Sequence, residues 1–491
     1  MDDKKENVQH VERFESVVDS DSSHSIRRFD QQETKRLLRK IDWVLLPFIS
    51  LLYLYLTSLN NTRTNIGNAR LSDLEVDLQM EGLQFNLALA AFFIPYALVE
   101  IPSNYMMKIM PPSIWIPTIM VGWGIVCTCM GLVKDFTGLA VARAFLGLTE
   151  GGLFPGISFF ITQWYCKHEC ALRLSIFFSA ATIAGGFGGL FARVLTMLNG
   201  KLGHPGWAWI FIVEGALTIV VALSAYKAMQ DYPATAKFLT EQERAEVAAR
   251  LAEDRDYLTE SNDKKFVWAA ITDWKTYVYS AMGICSAVPV YSLSLFMPTI
   301  IASLGFKNAT AQLMTVPVYT LACMFTITGG FLADKFKQRG VFIIGFTMVA
   351  ITGFIILMNA KGDSVKYFGC CVIACGIFPT VPQAIAWASN NVGGSTKKSI
   401  TIATFVMFSN AGAVTSSFIY LPAAAPKYTS GHSILLGANA MTCIIATFLT
   451  TWFRRENARR DAIKPAAMYT KDEKLLDSEM GENARFFRFT I

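Results

Sequence analysis

Apolar runs of about 20 residues, the length that crosses a bilayer as a helix, recur along the chain with only short polar breaks. Six fall near residues 41–64, 82–104, 114–133, 137–161, 173–195 and 208–228. Six more follow near 276–300, 311–333, 341–358, 367–388, 400–421 and 433–453. Of the 491 residues 53% are hydrophobic and 17% charged, against about 25% charged in soluble domains. This pattern excludes a soluble enzyme and predicts a polytopic, all-α integral membrane protein whose first partner is the lipid bilayer.

The net charge of +6 is no nucleic-acid signature, because Lys and Arg are dispersed through short loops and tails. Residues 1–40 are polar and lack the apolar core of a cleavable signal peptide, which predicts a disordered N-terminal tail. The chain divides into a six-helix bundle over 41–230, a polar middle loop over 231–274, a second six-helix bundle over 275–455 and a tail over 456–491. Within the middle loop, FLTEQERAEVAARLAEDRD has the pattern of an amphipathic helix too polar for lipid. Basic residues flank alternate loops, with Arg36, Arg39 and Lys40 before the first span and Arg454 and Arg455 after the last. By the positive-inside rule both termini are cytoplasmic.

Two sets of six spans about a long middle loop are the layout of major facilitator transporters, which bind substrate between the halves. GGFLADKFKQRG (329–340) resembles that superfamily's G-x-L-A-D-[RK]-x-x-x-[RK] loop. Asp334 can accept from a neighbouring helix N-terminus while Lys335 and Arg339 pair across the bundle, a conformational latch. The corresponding first-half loop, PSNYMMKIMPPSIW, lacks the Asp, so the latch is expected on one side only.

Ionisable groups within spanning helices are costly and mark functional sites. Arg143, Gly147, Glu150 and Phe154 follow the i, i+4, i+7, i+11 spacing of one helix face. That face sets a permanent cation about 10.5 Å from a titratable carboxylate. Glu150 is the candidate proton-coupling acid and Arg143 a candidate anion contact, the alternative being a structural Arg–Glu network. On the first helix, Asn61, Thr64 or Asn65, and Asn68 share a face beside Arg63, which reads either as an anion-binding wall or as a polar membrane exit. Glu100, before Pro102, reads as a packing or gating residue, and Glu214 as a counter-ion for a cation such as Arg193. The second half offers Tyr319, Gln383, Trp387, Asn390, Asn391 and Asn410 as polar and aromatic groups for substrate contact, the aromatic rings reading either as stacking surfaces for a flat acid or as packing. The ten cysteines are scattered through apolar runs, and Cys166–His168–Cys170 lacks a second ligand pair. No metal or cofactor is therefore expected, and no nucleophile–base pair indicates an enzyme.

An ordered series of segments narrows the reading. RTNIGNAR (63–70), VEIPSNYMMK (99–108), RAFLGLTEGGLFPG (143–156), QWYCKHE (163–169), DYPATAKFLTEQERA (231–245), LFMPTIIASLGF (295–306), TVPVY (315–319) and SNNVGG (389–394) resemble segments of the fungal anion:cation symporters. This is the allantoate permease-like group, which includes nicotinate, pantothenate and biotin transporters. The resemblance implies proton-coupled uptake of a small organic anion, such as a carboxylate vitamin or nitrogen source, at the plasma membrane. It also implies that Arg63 holds the substrate. One departure stands out: the family commonly places Asp before that Arg, and this chain has Thr62. A hydroxyl does not titrate, so coupling through two acids is in question. Export of an acidic metabolite and a nutrient sensor that does not transport remain open alternatives, and the sequence leaves oligomeric state open.

Overall fold

The computed structural model describes residues 29–58, 69, 74–81, 84–254, 264–305, 308–416, 419–420 and 428–491. Among them the secondary structure is helical, with no strands. The first half contains α1 (Gln31–Ser58), a single turn α2 (Leu74–Asp77), α3 (Gln84–Ile109), α4 (Pro112–Met130), α5 (Phe136–Glu150), α6 (Leu153–Trp164), α7 (Cys170–Thr196) and α8 (Gly206–Ala228). A connector carries α9 (Glu241–Asp254) and α10 (Lys264–Thr272). The second half contains α11 (Trp274–Ser303), α12 (Asn308–Lys335), α13 (Gly340–Asn359), α14 (Asp363–Asn390), α15 (Ser395–Ser416) and α16 (Thr429–Ile463), and the short α17 (Lys471–Leu476) follows.

Among the described residues, eight helical stretches are long and apolar enough to cross a membrane. The other expected spans fall on α1, α3, α7 and α11, which have 28, 26, 27 and 30 residues. Apolar character runs around α3, α7 and α11, as expected of helices surrounded by lipid or by other helices, whereas α1 is amphipathic. Burial ranks them: the apolar stretch of α14 is 89% buried and that of α13 only 33%. The second half is thus built around α14, with α13 outside it.

Local chemistry sets several helix starts. Asp30 accepts from the amides of Gln32 and Glu33, and Glu33 accepts from the amide of Asp30, a reciprocal capping box. Helix α1 therefore begins inside the stretch expected to be disordered to residue 40. Pro112 opens α4, where its missing N–H costs nothing. Asp135 caps α5 through the Gly138 amide at 2.7 Å.

The connector divides between the halves: residues 231–254 dock on the first half, whereas α10 packs on α15 of the second. Asp231 accepts from the Ser113 amide at 2.9 Å, and its carbonyl accepts from the Trp164 indole at 3.1 Å. Phe238 stacks on Trp164 with ring centroids 5.9 Å apart. Helix α9 follows the amphipathic pattern, with Val247 and Leu251 buried and Arg250 paired to Glu169 at 2.5 Å. Across the halves, α3 packs on α15 and α7 on α12.

Candidate functional site

In the first half, α5 lies backbone-on-backbone against α3. A Cβ added at Gly147 would stand 2.2 Å from the Phe92 carbonyl oxygen, so only glycine permits this approach. The glycine lies between Arg143 and Glu150, both buried. Arg143 is fully buried; its Nε donates to the Ala88 carbonyl at 3.4 Å and its guanidinium lies 4.9 Å from the Phe92 ring centroid. Glu214 of α8 is fully buried in the same half. A permanent cation and two carboxylates therefore share the interior of one half. The helical face ends sooner than its spacing predicted, because Gly151–Gly152 form a turn and Phe154 starts on α6. Phe154 stacks on Phe177 of α7, centroids 5.8 Å apart. Asn61, Arg63 and Asn65, with Thr62, lie outside the described residues.

The second-half candidates are not one cluster. Tyr319 of α12 is buried, packs edge-on against Phe378 and donates to the Ser294 carbonyl at 3.5 Å. Gln383 of α14 is fully buried, and neither amide atom has a hydrogen-bond partner among the described residues. Leaving such a group unsatisfied costs about 1–3 kcal/mol. Trp387 sits elsewhere: its indole donates to the Thr490 carbonyl at 2.8 Å and packs edge-on against Tyr279 and Phe453. Asn390, at the end of α14, donates to the Lys167 carbonyl at 2.9 Å.

That carbonyl belongs to a junction between the halves. Helix α7 has no side-chain cap of its own. Its first-turn amides are satisfied from the other half by Asp334, which accepts from Ala171 at 3.3 Å and Leu172 at 2.7 Å. Arg339, fully buried, donates to Asp334 and also to the Lys167 carbonyl at 2.8 Å. The side chain of Lys335 is exposed. The matching position of the first half uses amide and hydroxyl groups. Asn104, near the end of α3, donates to the Ser399 carbonyl at 2.6 Å, and the Ser399 hydroxyl donates back to the Asn104 carbonyl at 3.1 Å. Deeper along the same helices, Asn410 donates to Glu100 at 2.7 Å and accepts from the Tyr291 hydroxyl at 3.1 Å. We call this junction the latch end.

Sequence reasoning did not find Tyr291 or Ser399, nor the Lys167 carbonyl that gathers two donors. Asn104 stood in a quoted motif, but nothing in the chain pointed to its partner 295 positions away.

A family model described as Major Facilitator Superfamily matches residues 43–417. The chain is 34% identical to the MFS-type transporter cnsO of Penicillium expansum, over 97% of this chain and 96% of the relative. It is 31% identical to the MFS-type transporter efuF of Hormonema carpetanum, over 88% of each. Among solved structures, the proton:xylose symporter XylE bound to 6-bromo-6-deoxy-D-glucose superposes with a TM-score of 0.63 at 14% identity, covering 85% of this chain and 96% of that one. At that identity the likeness concerns the fold.

Proposed function

The chain belongs to the major facilitator superfamily, and from that premise we propose that it imports a small organic anion together with protons. The anion is a carboxylate such as nicotinate, allantoate or another vitamin or nitrogen-source acid. The observation that carries this reading is the buried pair on α5. Arg143 remains cationic at any physiological pH, whereas a carboxylate such as Glu150 can take up or lose a proton when its solvation changes.

In this reading twelve helices span the plasma membrane, with both termini and the latch end cytoplasmic. The substrate carboxylate is held by Arg63 and Arg143 with the amides of Asn61 and Asn65. Tyr319 and Gln383 contact it from the second half, and the unpartnered amide of Gln383 supports that role. Trp387 and Asn390, engaged at the latch end, leave the substrate site. Glu150 carries the proton.

The latch-end bonds correspond to a state closed toward the cytoplasm, and import requires them to break. Asp334, with Arg339, releases the first turn of α7 as the halves part, and Lys335 stays in solvent. Glu100 passes from a buried hydrogen bond to water in the same motion. It is therefore the acid best placed to replace the one missing at Thr62.

Uptake of labelled carboxylates, nicotinate first, into yeast lacking its own carriers tests this in acidic and neutral medium, with and without a protonophore. Acid-stimulated, protonophore-sensitive accumulation is the expected result. Uptake that only equilibrates regardless of pH removes proton coupling. No uptake of any acid favours export or a sensor.

A further inference from the structure

Beyond α16 the chain turns back beneath the second half, and residues 482–491 make closer contacts than a solvated tail would. The Glu482 side chain is buried; it pairs with Lys275 of α11 at 3.0 Å and with Lys397 of α15, and it accepts from the Gly393 amide at 3.2 Å. Arg460 of α16 donates to the carbonyls of Glu482, Ala484 and Phe487 at 3.0, 3.3 and 2.9 Å. Phe486, Phe487 and Phe489 are buried. Phe489 stacks on Phe453 with centroids 4.7 Å apart, and its backbone is matched in both directions by the Asn457 amide.

The last two residues reach the latch. Thr490 donates to Asn391 at 2.6 Å and accepts from Asn391 and Trp387 at 3.0 and 2.8 Å. The Ile491 carbonyl accepts from the backbone N–H of Arg339 at 2.5 Å, the residue whose guanidinium holds Asp334 and Lys167. Lys167, in the first half, lies with its ammonium 4.9 Å from the Phe487 ring centroid. One short segment thus touches α11, α14, α15, α16, the α12–α13 turn and the opposite half.

We propose that segment 482–491 is an intramolecular clamp that holds the latch end closed, so that opening on that side requires its release. The physical argument is placement. Phe487 supplies a cation–π contact across the junction. The Ile491 bond fixes the backbone from which Arg339 reaches Asp334 and Lys167. Losing the segment exposes three phenylalanines' worth of apolar docking surface and leaves Trp387 and Asn391 without Thr490. The clamp therefore biases a two-state element, as a regulatory strap must. It requires that the halves alternate, whatever the substrate.

Hydrogen exchange of the purified full chain tests this without a substrate. It is compared with a variant lacking 484–491 and with Phe487→Ala, which removes one ring and spares the rest. The decisive amides are those of 165–175 in the first half, which the segment meets through Lys167. About tenfold faster exchange there in the truncated chain, and a smaller rise in Phe487→Ala, is the expected result. Faster exchange confined to the ends of α14 and α16, or none, overturns the clamp and leaves a segment that only covers the second half. If the truncated chain fails to fold, Phe487→Ala decides alone: unchanged exchange at 165–175 overturns the proposal.

Discussion

Asn410 of α15 donates to Glu100 of α3 across 2.7 Å of buried space, joining the two halves well inside the fold. An intramolecular hydrogen bond contributes about 0.5–1.5 kcal/mol net, and this one exists only while α3 and α15 are together. Asn410→Ala removes a donor from a buried carboxylate without removing the carboxylate. The variant should lower the Tm of the purified protein, while Glu100→Gln, which keeps a polar partner, should lower it less. A larger fall in Glu100→Gln than in Asn410→Ala would mean that the carboxylate itself, and not its hydrogen bond to Asn410, is what the fold needs there.

Gly147 places α5 against α3, and its neighbour is a backbone oxygen, which cannot swing aside as a flexible side chain can. With a Cβ only 2.2 Å from that oxygen, Gly147→Ala must push the helices apart. Overpacking of this kind costs about 1–3 kcal/mol. Reduced Tm and reduced yield of folded protein are expected, with loss of transport, because Arg143 and Glu150 ride on the displaced helix. Gly345, with nothing within 4 Å of a built Cβ, is the control. Gly345→Ala should be neutral in the same assays.

Asp334 serves two partners, the first turn of α7 and the buried Arg339. Removing one member of a buried ion pair costs about 3–5 kcal/mol because the other charge stays buried. Asp334→Ala should therefore destabilise far more than Lys335→Ala, whose side chain is exposed. Thermal unfolding of the two variants side by side checks the ranking.

His168 gives the latch a pH dependence. Burial, then the positive charge of Arg339, with Lys337 and Lys167 behind it, lowers its pKa from 6.5 to about 4, and Asp254 opposes them. The folded state thus favours the neutral imidazole. The stability this represents is complete above about 6.5 and is lost as pH falls toward 4. Glu482 does not titrate in that window. Burial pushes its carboxyl up, but Lys275 and Lys397 outweigh it and hold it at about 2. Acidification from neutrality should lower the Tm of the wild-type chain, and His168→Asn should remove part of that fall. An unchanged slope in the variant would assign the acid sensitivity to another group.

Helices were legible because apolar length is written locally. The run near 341–358 became Gly340–Asn359 and the run near 208–228 became Gly206–Ala228. Boundaries failed where polar chemistry continued a helix. Helix α16 runs past the apolar stop at Arg454 to Ile463, helped by Glu456 pairing with Arg459 and Arg460 at i+3 and i+4. The candidate site was less legible. Trp387 and Asn390 stood out as polar or aromatic groups in an apolar run, but hydropathy cannot see that Thr490, over a hundred residues on, covers one of them. The FFRF run at 486–489 was the available signal for the clamp, since three phenylalanines in a charged tail need burial. Asn104 and Ser399 meet only because α3 packs on α15 across the halves, which no local pattern encodes.

In the proposed mechanism a titrating carboxylate on α5 couples protons to anion movement. The most direct measurement of that coupling is labelled-carboxylate transport by Glu150→Gln beside the wild type, scored both as net accumulation driven by an inward proton gradient and as counterflow exchange without one. Accumulation should be abolished while exchange persists, because the amide can hold the site's shape but cannot carry a proton. Gradient-driven accumulation that survives in Glu150→Gln would contradict it and move the coupling site to another acid, with Glu100 next to be substituted.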